Sequence, residues 1–132
     1  MLKVATLRDT ARQRLRDADA LLKARRYDGG AYLCGYAVEI ALKVRICKTL
    51  GWTEFPESSG EFNSYRSFQV HNLNVLLHLS GREQRIKAKF SADWSNVTTW
   101  DPVARYKPAG HVTKVDLASM IASARVLLRK LL

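Results

Sequence analysis

Apolar residues recur at helical spacing near the start of the chain. Leu7, Ala11, Leu15, Ala18 and Leu22 fall on one face, and Arg8, Arg12, Arg16 and Lys23 fall on the opposite one. That period predicts an amphipathic helix. It begins near Thr6, since Thr6 and Asp9 have the spacing of a capping box. "RRYDGG", residues 25–30, ends it. Asp28 is placed to cap a second helix, with Gly29 and Gly30 in the first turn. There "AYLCGYAVEIAL", residues 31–42, is apolar almost all round. A helix without a polar face belongs in the middle of a bundle or against a partner subunit. Gly35 permits another backbone to come close. The helix runs on through "KVRICKTL" and stops at Gly51.

Periodicity then lapses. Residues 52–70, with Pro56 and Gly60, read as a long loop. "NLNVLLHLS" is a short third helix closed by Gly81, and "REQRIKAKFSADWSNV" is a fourth with Ile86, Phe90 and Trp94 on one face. Residues 98–112 form a second loop. The last helix starts at Thr113, which has capping-box spacing with Asp116. Its apolar positions are Leu117, Met120, Ile121, Ala124, Leu127, Leu128 and Leu131. No strand is predicted. The pattern specifies an all-α fold: a compact four- to five-helix bundle with long helices 1 and 2, a short third helix and a C-terminal helix, spanning residues 1–132 as a single domain.

Composition narrows the function. The net charge is +10, which attracts polyanions: RNA, DNA, nucleotides or an acidic protein. The same excess also fits a solvated basic surface. No stretch approaches the ~20 apolar residues of a membrane span. The N-terminus is too charged for a signal peptide, so the expected location is the cytoplasm, with no membrane partner. Cys34 and Cys47 share a helix and lie roughly 20 Å apart along it, too far to pair. They are expected to be reduced core thiols.

Glu39 is the one charge in the apolar run of the second helix, and a buried carboxylate needs a partner. Lys43, four residues on, is one candidate. A bridge to an arginine of another helix is a second. The functional alternative is that Glu39, with Lys43, orients a site arginine or histidine. His71 opens the third helix, where free backbone N–H groups favour anions. It can equally serve as a cap or join a polar network. Arg66 with His71 gives Arg–x4–His, and Arg105 with His111 gives Arg–x5–His. These four are the catalytic candidates. His78 reads as a boundary residue. Three histidines without carboxylates at ligand spacing imply no catalytic metal. Glycine-rich phosphate loops, GxSxG and HExxH are absent, and no cofactor is implied.

The order of "ADALLKARRYDGGAYLCGYAVEIALKVRICKTLG", "VHNLNVLL", "ARYKP" and a terminal helix resembles the HEPN domain (higher eukaryotes and prokaryotes nucleotide-binding). The likeness runs from about residue 17 to the end and is strongest over residues 26–43. It implies a small helical bundle that dimerises. Many members are metal-independent endoribonucleases, often toxins of toxin–antitoxin pairs, with an Arg–x4–6–His motif. Others lack it and bind nucleotide or RNA beside a nucleotidyltransferase. Tyr106 follows Arg105 where the catalytic motif usually carries a polar residue such as Asn, Asp or His, and "HNL" and "RYKP" look like the non-catalytic branch. The resemblance therefore places His71, Arg105 and Tyr106 in an anion pocket for nucleotide or RNA. The partners it implies are a second copy of the chain and an antitoxin or nucleotidyltransferase protein. The alternatives are the ribonuclease and a non-enzymatic protein-interaction bundle.

Overall fold

The computed structural model describes residues 1–56, 70–101 and 107–132. In these segments β1 (Leu2–Lys3), α1 (Val4–Lys23), α2 (Tyr27–Leu50), β2 (Glu54–Phe55), α3 (Leu73–Leu79), α4 (Glu83–Lys89), α5 (Ser91–Val97) and α6 (Lys114–Leu131) follow in order. The all-α bundle is present, with two local departures from the sequence reading. The expected fourth helix is two helices, because Phe90 leaves helical geometry at φ −132° and ψ 33°. A two-residue antiparallel pairing also joins β1 to β2, Leu2 opposite Phe55 and Lys3 opposite Glu54.

That pairing corrects the start of α1. The Val4 amide donates to the Thr53 carbonyl at 3.1 Å, so the chain leaves the ribbon directly into helix. The N-cap position is Lys3, and Thr6 lies within the helix, where its carbonyl accepts from the Thr10 hydroxyl at 2.8 Å. The Thr6–Asp9 capping box does not form. α1 instead ends in a Schellman turn: the Arg26 amide reaches the Leu21 carbonyl and the Arg25 amide reaches that of Leu22. The left-handed residue there is Arg25, at φ 61°, rather than a glycine.

α2 is the central helix. It packs against α1, α3, α6 and β2, which accounts for its nearly continuous apolar surface. Val38, Leu42, Val44 and Ile46 are fully buried. Leu33, Tyr36 and Ile40 stay half-buried along one side. Gly35 is required by close approach: a Cβ there would lie 2.1 Å from the Trp100 ring. α2 closes at Gly51, whose φ of 71° is left-handed. Cys34 and Cys47 are buried free thiols. Burial pushes them up to about 12 and about 11, so neither presents a thiolate.

α6 buries every apolar position that its period singles out, and the capping box of Thr113 and Asp116 is formed in both directions. A polar thread ties it to α5: the Asn96 amide donates to the Ser123 hydroxyl, which donates to Asp93.

Candidate functional site

Asn72, whose side chain accepts from the Asn74 and Val75 amides, is the N-cap of α3. His71 therefore sits one position before the cap and does not open the helix itself. This places its ring over the middle of α2. Nδ1 of His71 lies 2.7 Å from Oε1 of Glu39. A carboxylate can only accept, so Nδ1 carries the proton and donates. The Glu39 side chain is 4% exposed and the His71 side chain 61% exposed. A buried acid thus holds an imidazole whose other face meets solvent.

Glu39 Oε2 lies 3.7 Å from Nζ of Lys43, the i,i+4 partner expected from spacing. The Lys43 ammonium also stands 5.4 Å over the Phe55 ring, a cation–π contact. Glu39 is therefore shared between two bases, and the histidine is the closer. This satisfies the need of a buried carboxylate for a partner without any backbone donor to it among the described residues. The sequence singled out each residue. It could not supply the Glu39–His71 contact, because the two are 32 positions apart.

His111 is held differently. Asp28, expected to cap α2, lies inside its first turn, and the N-cap position is Arg26 with no side-chain bond. The Asp28 carboxylate turns instead to the loop before α6. The Gly110 amide donates to Oδ2 at 2.7 Å and the Val112 amide to Oδ1 at 3.0 Å. Those bonds, Gly110 first, then Val112 and the nearby His111, hold Asp28 below its usual value against an opposing effect of burial. Nδ1 of His111 lies 3.1 Å from the Pro108 carbonyl and 3.4 Å from Asp28. His111 belongs to a stapled turn in which Gly110 takes φ 85°.

A cleft of about 340 Å³ opens beside this turn, with Tyr32, Trp100, Lys107 and His111 on its walls. Trp100 donates through Nε1 to the Tyr32 carbonyl at 3.1 Å and meets Tyr36 edge-on. Tyr32 and Trp100 carried no motif, and the sequence reading passed over them. Asp116 is engaged in the capping box with Thr113. His78 forms an exposed pair with Glu83 at 3.4 Å. Arg66, Arg105 and Tyr106 lie outside the described residues. Among the described residues no three His, Cys, Asp or Glu side chains gather into a metal-binding group, and no helix is long and apolar enough to cross a membrane.

Comparison of the chain with family models, with curated proteins and with solved structures finds no match.

Proposed function

We propose that this chain is a nucleotide- or RNA-binding helical domain of HEPN type, working in the cytoplasm as a homodimer, in which His71 faces phosphate. The carrying observation is the 2.7 Å contact between the buried Glu39 carboxylate and an exposed His71 ring. Anchoring Nδ1 fixes the direction of Nε2, which in the protonated ring is a donor for an anionic oxygen. The net charge of +10 favours a polyanion. Arg105 and Tyr106 complete the anion pocket in this reading, Arg105 on phosphate and Tyr106 on the bundle or a base. An acidic antitoxin or a nucleotidyltransferase is the protein partner. The half-buried Leu33, Tyr36 and Ile40 of α2 are the natural dimer contact. Light scattering at micromolar concentration is expected to give twice the chain mass, since a stable interface buries about 1,200 Å² or more.

One observation favours a second reading, a metal-independent endoribonuclease. A histidine braced at Nδ1 by a carboxylate has the arrangement of a general base toward a ribose 2′-hydroxyl. An arginine would then stabilise the phosphorane-like transition state. The test is to measure RNA and nucleotide binding and RNA cleavage for His71→Ala, Arg105→Ala and His111→Ala. Binding weaker by about tenfold or more in the first two, with His111→Ala unchanged, supports the anion pocket. Cleavage to 2′,3′-cyclic ends, lost in His71→Ala and Arg105→Ala with binding kept, would replace it with the nuclease on the braced histidine. Loss in Arg105→Ala and His111→Ala instead would put the nuclease on the Arg–x5–His pair. A wild-type protein that binds neither RNA nor nucleotide would leave the protein-interaction bundle.

A further inference from the structure

The arginine stripe of α1 faces a second one. Arg8, Arg12 and Arg16 follow at i,i+4 spacing, as do Arg125 and Arg129 on α6. Like charges at this spacing repel along a helix, so such stripes are unfavourable unless an anion answers them. Packing of α1 beside α6 turns the two rows toward one groove of about 670 Å³, with Arg12 and Arg16 on one wall, Arg125 and Arg129 on the other, and Leu15 and Leu128 among its lining. Asp19 also lines it and engages Arg125 at 3.1 Å, and Lys23 at 3.0 Å. Asp9 reaches Arg12 only at 4.0 Å. Arg16 has a long contact to Gln13 at 3.4 Å. No described carboxylate lies within ion-pair distance of Arg129.

More cations continue the groove past its end. Leu132 lines the groove, and its main-chain oxygen accepts from Lys48 of α2. Next to it, Arg45 donates through Nε to the Leu131 carbonyl at 2.8 Å. Burial holds Arg45 and Lys48 below their usual values; after it, the neighbouring Arg82, Arg8 and Arg85 add to the effect on Arg45, and Arg8, Arg45 and Arg12 to that on Lys48. The Arg8 Nε is buried there without a hydrogen-bond partner among the described residues. Two of these cations cap the carbonyl end of α6. The remainder exceed what capping needs.

We propose that this band, running from Arg129, Arg16 and Arg12 in the α1–α6 groove to Arg8, Arg82 and Arg85 at its end, is a track for the sugar–phosphate backbone of single-stranded RNA. It is a second surface, separate from His71, and it rests on the polyanion-binding reading above. Two features favour RNA over an acidic peptide. Guanidinium forks match phosphate oxygens and their planes stack on bases. The groove also offers apolar area at the half-buried Leu15 and Leu132, which carboxylates cannot use and base faces can. Arg8 to Arg16 covers about 12 Å of helix, room for more than one phosphate.

The experiment measures binding of a labelled oligouridylate by fluorescence anisotropy across a salt series. It compares the wild type with Arg12→Gln/Arg16→Gln/Arg129→Gln, with Arg82→Gln/Arg85→Gln, and with His71→Ala. The three groove arginines are exposed, so the folded bundle persists, and a circular-dichroism melt checks it. Three lost phosphate contacts lower the slope of log affinity against log salt by about 2 for a single strand. Affinity is expected to fall by about tenfold or more in the groove variant and less in the end variant. Slope and affinity both unchanged in these two variants, with wild-type binding intact, would overturn the track while leaving the His71 pocket standing. A wild type that ignores oligouridylate would overturn the polyanion reading itself. If that protein instead binds poly-glutamate, the band is a docking face for an acidic protein.

Discussion

All three histidines of this molecule set Nδ1 near a carboxylate; His78 does so in an exposed pair with Glu83, whereas the carboxylates beside His71 and His111 are held in the fold and differ in what else they hold. Asp28, beside His111, accepts two backbone amides, from Gly110 and Val112. Those donors cannot leave without unmaking the turn, so the Asp28–His111 corner is a staple between α2 and the loop before α6. Glu39, beside His71, is buried and, among the described residues, is answered by side chains, His71 and Lys43. Side chains can turn toward a ligand while the carboxylate stays in place. Burial also makes the acid's need for a partner acute, which orders an otherwise exposed ring. The same pairing therefore does different work. At one site it closes a loop, and at the other it aims a histidine.

The contrast can be broken at its acids first. Glu39→Ala is expected to destabilise the fold by about 3 kcal/mol, since it strips a buried acid from a nearly buried Lys43 and leaves a void. Urea unfolding measures that cost, and RNA binding by the variant should fall with it. Asp28→Ala removes the acceptor of two amides at a half-exposed position. It is expected to cost about 1–2 kcal/mol and to leave RNA affinity at the wild-type value. If Asp28→Ala abolishes binding with the fold intact, the corner is part of the site and the contrast fails.

Acid sharpens the distinction. The folded state holds the Asp28 carboxyl below its usual 3.8, chiefly through the Gly110 and then the Val112 amide. A carboxyl depressed on folding contributes stability above its unfolded value and loses it as pH falls through the folded one. The stability difference between wild type and Asp28→Asn should therefore be full above about pH 4 and shrink below it. A difference that stays constant down to strongly acid pH would contradict the staple. The smallest effect is expected for His111→Ala, within about 0.5 kcal/mol in urea, because Asp28 keeps both amides without it.

What the sequence disclosed depended on the range of the interaction. The face of α6 and its Thr113–Asp116 box are local signals, and both were readable in full. Thr6–Asp9 has nearly the same local signal, yet no box forms there, because the pairing of Leu2 with Phe55 carries the chain into helix at Val4. Two-residue strands have no period to read. Asp28 stands where a capping residue would, and a loop from the far end of the chain takes its carboxylate instead. Glu39 was visible as the odd charge in an apolar run and His71 as a residue beside a helix start. Their contact joins distant positions, which no spacing rule covers. The groove was half visible: Arg8, Arg12 and Arg16 made a stripe, and Arg125 and Arg129 repeat its spacing unnoticed among the apolar residues of α6.

The most direct test of the contrast watches both imidazoles at once. Ring ¹⁵N–¹H correlation spectra of the wild-type protein, recorded while a short single-stranded RNA is added, report Nδ1 and Nε2 of His71 and His111 separately. The account predicts that Nε2 of His71 shifts in proportion to bound RNA, that its Nδ1 remains bonded to Glu39, and that both nitrogens of His111 stay where they were. Movement of His111 with His71 unchanged would contradict it.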